Sequence, residues 1–347
     1  MYFKWQDQTP VTLHCIDKFF ETEDTVSLRF GEPSESLLFD FKPGQFINLG
    51  VKIAGKMEFR AYSISSLNAE NYLQITVKRV DGGKVSNFLI DQLQVTGTVQ
   101  ALPPTGDFNC IDHPPKIHDG QSKVLLISAG CGITPVMAMI KYWLHHTMEI
   151  DIEFLHIARS PEQTLYFDTL ATYHTLYDNF HLKLLLKDAK NSGYPQGKID
   201  IHWLKTLVPD IHSRNIYLCG PDKFMRDVEG YLLELGFDMA NFYQESFSPL
   251  QTHKPLFSDT EVKVGVANFA QTIKAQKGQL LADVLENAGI PLIIACRSGI
   301  CGSCKCKISK GRVTTLNQTA LTEKEIEEGY ILTCSSTIES DIEINLN

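Results

Sequence analysis

Four cysteines crowd the stretch "ACRSGICGSCKCKI", residues 295–308, and Cys334 stands alone further on in "YILTCSS". Cys296, Cys301 and Cys304 have the spacing C-x4-C-x2-C, and Cys334 supplies a distant fourth thiol. Thiolates at this spacing suit a [2Fe–2S] cluster. Its ferric ions and sulfides need four anionic ligands and a tight loop that brings amide N–H groups to the sulfurs. Gly299 and Gly302 let the backbone turn that closely, and Arg297 and Ser303 add a cation and a small side chain. The rival is a zinc ion held by four cysteines. Zinc favours two close C-x2-C pairs, and within the run only Cys301 and Cys304 have that spacing. The metal ligands are therefore read as Cys296, Cys301, Cys304 and Cys334 around a cluster. Cys306, on an expected strand just past the loop, is read as a buried structural cysteine.

Upstream, glycines stand where phosphates can be held. In "DGGKVSNFL", Gly82 and Gly83 precede a helix whose first N–H groups can bind a phosphate, with Val85 and the donor Ser86 in its first turn. In "SAGCGITPVMAM", Gly130, Gly132, Thr134 and Pro135 lie between a strand and a helix. Thr134 reads as the N-cap, Pro135 suits the first helical turn, and the glycines let a pyrophosphate approach the helix. Each run also reads as an ordinary turn before a helix. Arg159 and Ser160 follow the second strand of this region, where a doubly wound fold reads the adenosine ribose. An arginine there accepts a 2′-phosphate, and no acid ends the strand; the choice between NADH and NADPH stays open, with a lean to NADH. Cys219, in "YLCGP", reads on chemistry alone as a buried strand cysteine.

Together these runs carry a resemblance. "CRSGICGSCKCKISKGRV" with "EGYILTCSS" resembles the C-terminal plant-type ferredoxin domain of bacterial NAD(P)H-dependent flavin/iron–sulfur reductases. "RAYSIS" resembles the R-x-Y-S/T motif of the ferredoxin–NADP reductase superfamily, and "AGCGITP" its G-x-G-x-x-P nucleotide loop. "KPGQF", "LPPTGDF" with Thr105, the C-G-P element Cys219-Gly220-Pro221 and the E-x-F element in "YQESF" are similar to further signatures of it.

The resemblance implies that Arg60 pairs with flavin phosphate, Tyr62 packs on the isoalloxazine and Ser63 hydrogen-bonds near flavin N5, with Ala61 between them in the motif. A guanidinium offers bidentate donors to phosphate and a phenol ring stacks. It also implies a catalytic set of Ser63, Cys219, Glu245 and Phe247, with Cys219 beside the hydride path. "GGKVSNFL" resembles the sequences that bind FAD rather than FMN. The order flavin, nicotinamide, ferredoxin is shared by NADH oxidoreductases of the hybrid-cluster-protein reductase type and by phthalate-dioxygenase-type reductases; "FRAYSISS", "AGCGITPVM" and "ACRSGICGSCK" most resemble the former. The implied function is an NAD(P)H-dependent electron-transfer reductase: hydride passes to FAD, and electrons leave singly through a [2Fe–2S] cluster to a redox partner. Hybrid cluster protein is the first choice of partner; an oxygenase or a fatty-acid desaturase is the alternative. A redox-sensing iron–sulfur flavoprotein without turnover is a third reading.

The elements that must position these residues fall into three segments, too many for one domain in a chain of 347 residues. Residues 1–110 are strand-rich with one helix, "KVSNFLIDQL", and are expected to form an antiparallel β-barrel that binds the flavin. "NCIDHPPKIHDGQS" reads as a linker. Residues 121–247 alternate strands and helices, including helices expected from Pro135 to His146 and from Pro161 to Tyr173, as in a doubly wound α/β nucleotide domain. "SFSPLQTHKPLF" reads as a second linker, and residues 258–347 as an α+β, β-grasp ferredoxin domain.

The net charge of −9 argues against non-specific nucleic-acid binding. No run of 18 apolar residues predicts a membrane span, and the N-terminus lacks a signal-peptide pattern. The expected setting is cytosolic, where clustered cysteines serve as metal ligands rather than disulfides. The scattered histidines are given no chemistry.

Overall fold

The computed structural model describes residues 1–6, 9–32, 37–118, 120–146, 148–246 and 260–346. The chain divides into two compact units, Met1–Met57 with Tyr62–Ser246 and Glu58–Ala61 with Phe247–Asn347.

Runs of β-branched and aromatic residues between Gly, Pro and Asn breaks give the first strands. They are β1 (Val11–Thr22), β2 (Thr25–Gly31), β3 (Phe46–Ile53), β4 (Lys56–Ser63) and β5 (Leu73–Lys78). Helix α1 (Lys84–Asp91) and strand β6 (Thr98–Ala101) follow. The sheet order is β4-β3-β6-β1-β2-β5. Ile64, one residue past β4, bridges Ile75 of β5, so the two edges meet and the barrel closes. Its core packs Phe30, Phe39, Leu49, Ile75 and Leu89. Helix α1 buries Val85, Ser86, Leu89 and Ile90, a one-sided stripe that fixes which way its N-terminus points.

The next elements are β7 (Ile117–His118), β8 (Gln121–Ala129), α2 (Ile133–His145), β9 (Ile150–Ala158), α3 (Phe167–Leu176), β10 (Phe180–Leu186), α4 (Ile201–Leu207), β11 (Asn215–Cys219), α5 (Asp222–Glu234) and β12 (Phe242–Glu245). Their parallel core has the order β10-β9-β8-β11-β12, with β7 antiparallel on β8. Three details differ from the sequence reading. Helix α2 begins at Ile133, because the 3-10 turn Gly130–Gly132 runs straight into it. The helix expected from Pro161 is only a 3-10 turn, Pro161–Gln163; Tyr166, with φ of 57°, breaks the path before α3. The supposed first linker is docked: Tyr217 Oη donates to the His113 carbonyl at 2.5 Å, and the Lys116 N–H to Asn215 Oδ1 at 2.8 Å.

The last unit holds β13 (Glu261–Val266), β14 (Gln271–Gln276), α6 (Leu281–Asn287), β15 (Lys305–Lys310), β16 (Val313–Thr315), α7 (Glu323–Glu327), β17 (Tyr330–Leu332), β18 (Ser336–Ile338) and β19 (Ile342–Leu346). Its main sheet has the order β14-β13-β19-β15-β17, with β19 parallel to β13. Two cores form here. One contains Val264, Leu285, Ile344 and Cys306; the other gathers Cys296, Cys304 and Cys334. Cys306, on the strand that starts at Lys305, packs in the first of these cores, whereas Cys304 packs in the second. Among the described residues no helix is long and apolar enough to cross a membrane.

Candidate functional site

The parallel sheet reverses its winding between β8 and β11, and in open α/β sheets ligands enter the crevice at the strand ends beside such a switch. Register aligns Ser128 with Cys219, and Cys219 with Glu245. Gly130 has φ of 54°. Gly132 is pressed on the next turn: a Cβ there would lie 2.1 Å from the Cys219 carbonyl oxygen and 2.6 Å from the Gly220 nitrogen. A Cβ on Gly220 would lie 2.7 Å from the Phe224 ring. An ordinary βα turn needs no such approach; a backbone cradle for a pyrophosphate does. Thr134 is not the N-cap. Gly132 holds that place, and Thr134 sits inside the helix with its hydroxyl donating to the Cys131 carbonyl at 2.9 Å. Pro135 lies in the first turn as expected, and Pro221 is the N-cap of α5.

Cys219 is 3% exposed. Burial, and then the Glu245 carboxylate, push its thiol well above the ordinary range. It is a neutral lining group rather than a thiolate nucleophile. The barrel reaches the same place. A Cβ on Gly106 would stand 3.4 Å from Glu245 Oε1, and the neighbouring Thr105 exchanges backbone hydrogen bonds with Phe46, each 2.9 Å. Gly44, with φ of 110°, leaves no room for a side chain: its Cβ would fall 2.3 Å from the Phe108 carbonyl oxygen and 2.5 Å from Met139 Cε of α2. The "KPGQF" and "LPPTGDF" runs, α2 and the end of β12 therefore converge. Phe247 lies outside the described residues.

Arg60, Ala61, Tyr62 and Ser63 run along β4. Ser63 is buried and Tyr62 half-buried against the barrel core; Arg60 Nη1 donates to the Phe59 carbonyl at 2.6 Å. At α1, Gly82 has φ of 66° and Gly83 is the N-cap; a Cβ on Gly83 would lie 2.6 Å from Ser86 Oγ. Ser86 Oγ is buried and has no hydrogen-bond partner. Such a hydroxyl costs about 1–3 kcal/mol when left unmatched. With the first-turn N–H groups of α1 it forms a donor cluster that fits a flavin phosphate. Val85 packs into the barrel core, so its side chain anchors the helix rather than the ligand.

Arg159, Ser160, Glu162, Lys187 and Lys190 line a cavity of about 350 Å³ past the end of β9. Ser160 Oγ donates to Glu162 Oε2 at 2.7 Å, and Lys190 Nζ pairs with the same carboxylate at 3.2 Å. The Ser160 hydroxyl foremost holds the Glu162 carboxyl down to about 2. Sequence reasoning missed Glu162 because it sought an acid on the strand's last residue; this one stands on the 3-10 turn beyond it. Buried His156 is neutral, its imidazole pushed down to about 3 by burial, with Nδ1 2.7 Å from Ser128 Oγ.

In the last unit the four thiols meet. Cys301, first, and Cys334 hold the Cys296 thiol well below the usual thiol range; Cys334 does the same for Cys304. Cys301 and Cys334 are pushed up by Cys296 in turn. The four thiols thus act on one another as one group. The Ser298 N–H donates to Cys296 Sγ and the Cys334 N–H to Cys304 Sγ, each at 3.5 Å. The hydroxyls of Ser298 and Thr333 are buried beside Cys296 and Cys304 and help hold those two thiols down. The spread of the thiols fits two irons better than one zinc. Sulfurs around a single zinc lie about 3.8 Å apart, given Zn–S of about 2.3 Å. Among the described residues the only three ligand atoms mutually within 4.8 Å belong to Asp151, Glu153 and His181, so no three of these thiols are that close. The set fits a wider, two-iron group.

Comparison with known proteins agrees. Residues 12–110 match the family model "Oxidoreductase FAD-binding domain", 126–230 "Oxidoreductase NAD-binding domain" and 265–339 "2Fe-2S iron-sulfur cluster binding domain". The glycine betaine monooxygenase reductase subunit of Chromohalobacter salexigens is 32% identical over 96% of this chain and 94% of its own length. NADH oxidoreductase HCR of Escherichia coli is 29% identical over 88% of each chain. The solved structure of phthalate dioxygenase reductase shares the fold, with a TM-score of 0.64 at 22% identity over 97% of this chain and 98% of that one. The chain belongs to the family of ferredoxin–NADP reductase-like flavoproteins that carry a C-terminal [2Fe–2S] ferredoxin domain. It is an NAD(P)H-dependent oxidoreductase with FAD and a [2Fe–2S] cluster as its cofactors. Bound there, the flavin accepts a hydride and the cluster carries single electrons; the protein supplies position and electrostatics.

Proposed function

We propose that this reductase delivers electrons to the terminal component of an oxygenase. Residues 1–110 hold FAD, 121–247 the nicotinamide nucleotide and 258–347 the cluster. Arg60, Tyr62, Ser63, Gly82, Gly83 and Ser86 bind the flavin; Gly130, Gly132, Thr134, Pro135 and the turn Cys219–Pro221 bind the nucleotide. Cys219 and Glu245 shape the place where nicotinamide and flavin meet; Phe247, expected with them, lies outside the described residues. Cys296, Cys301, Cys304 and Cys334 ligate the cluster. The observation that carries the reading is the set of four thiols gathered in one core, Cys301 half-buried and the others buried, with the buried hydroxyls of Ser298 and Thr333 beside Cys296 and Cys304. NADH is the favoured donor, because Glu162 places a carboxylate where a 2′-phosphate would otherwise meet Arg159 and Lys190. Nine free cysteines support a reducing, cytoplasmic setting.

An oxygenase acceptor is supported by the near full-length relative from Chromohalobacter salexigens, a monooxygenase reductase subunit. The E. coli relative, NADH oxidoreductase HCR, keeps hybrid cluster protein as the second reading. The test offers purified reductase and NADH to each acceptor anaerobically and follows acceptor reduction optically. The oxygenase component of a glycine betaine monooxygenase is expected to be reduced at least about tenfold faster than hybrid cluster protein. Faster reduction of hybrid cluster protein, or no reduction of either, contradicts the oxygenase assignment.

A further inference from the structure

Residues 317–319 form a strap against the cysteine loop that no ligand pattern includes. Asn317 Nδ2 donates to the Ser298 carbonyl at 2.8 Å, and Thr319 Oγ1 to the Gly299 carbonyl at 3.4 Å. Asn317 is itself held, its carbonyl accepting from Ser335 Oγ at 2.6 Å and its Oδ1 from the Thr319 N–H at 3.0 Å. Ser335 adjoins Cys334, so the strap ties the loop of three cysteines to the turn that carries the fourth. The fit is close: a Cβ on Gly299, which has φ of 78°, would lie 3.0 Å from both Cβ and the carbonyl oxygen of Asn317. On the loop's other side Arg297, with φ of 56°, pairs with Asp283 at 2.9 Å and with Glu286.

In a trans peptide the C=O and N–H point in opposite directions. With the carbonyls of Ser298 and Gly299 turned to the strap, the next two N–H groups, of Gly299 and Ile300, are turned away from it. Gly299 is buried, and among the described residues neither N–H donates to a protein acceptor. A buried amide without a partner is costly, and Cys301 follows Ile300 directly in the chain.

We propose that Asn317 is a positioning residue for the cluster: by fixing the Ser298–Gly299 peptide it aims the Gly299 and Ile300 N–H groups at the cluster's sulfurs. Hydrogen bonds to sulfur stabilise the more negative, reduced state and so raise the reduction potential. The inference rests on the assignment of Cys296, Cys301, Cys304 and Cys334 as ligands. The test is an EPR-monitored redox titration of the full-length holoprotein and two variants. Asn317→Leu keeps the volume and removes the donor. The cluster's reduction equilibrium is expected to shift about tenfold toward the oxidised form, about 59 mV more negative for a one-electron couple. Thr319→Val, at an exposed position, is expected to shift it the same way by about twofold. A loaded Asn317→Leu protein with the wild-type potential overturns the proposal. So does an Asn317→Leu protein that cannot be loaded, when Thr319→Val leaves the potential unchanged. A wild-type EPR signal that persists unchanged in Cys301→Ser overturns the ligand assignment instead, a distinct failure.

Discussion

The nucleotide loop and the cysteine loop solve opposite problems. At Gly132 the chain makes a site by leaving side chains out, with backbone so close to Cys219 that a single carbon would overlap a carbonyl oxygen. At Cys296–Cys304 it makes a site by bringing side chains in, and the backbone supports them through Ser298, Asn317 and Ser335. The first is intolerant of added volume and indifferent to many neighbouring identities. The second depends on the atoms of four thiols and on donors scattered through the sequence. A ligand held only by non-covalent contacts can exchange, which suits a nucleotide that must come and go; a cluster bonded to four thiolates stays.

Adding volume to the first site tests this contrast most severely. Gly132→Ala places a carbon 2.1 Å from backbone and forces the loop off the β11 turn. Flavin reduction by NADH in stopped flow is expected to fall by about 100-fold, the order that an ångström of misplacement costs. The dithionite-reduced cluster should keep its wild-type EPR signal. A rate within about threefold of wild type would show that the close approach is not needed.

A smaller effect sharpens the side-chain half of the nucleotide site. Glu162→Gln removes the charge that pairs with Lys190 and keeps a group for the Ser160 hydroxyl. The kcat/KM ratio of NADPH to NADH is expected to rise about tenfold, or ~1.4 kcal/mol. An unchanged ratio would remove Glu162 from nucleotide selection.

What the sequence disclosed follows the same division. The cysteine spacing was legible because each ligand is itself the chemistry. Gly130, Gly132 and Pro135 were legible because a close turn admits few residues. The parallel sheet showed in its alternating strands and helices. Thr134 misled, because a hydroxyl beside a proline reads as a cap, whereas the 3-10 turn at Gly130–Gly132 moves the helix start upstream. The helix expected at Pro161 failed because Tyr166 adopts a left-handed conformation that no local propensity favours. Asn317 and Glu162 were invisible: one acts across 19 residues of chain, and the other lies off the position where an acid was sought. Supporting side chains obey no spacing rule, so they appear only when the fold brings them in.

In the proposed function electrons enter at the glycine loop and leave through the four cysteines. Anaerobic titration of the holoprotein with NADH, with flavin absorbance and EPR recorded at each step, tests this route. Flavin bleaching is expected to be accompanied by the rhombic S = ½ signal of a reduced [2Fe–2S] cluster, and Cys301→Ser to bleach its flavin without that signal. Flavin bleaching in the wild type with the cluster left oxidised, under conditions where dithionite reduces it, would take the cluster off the route.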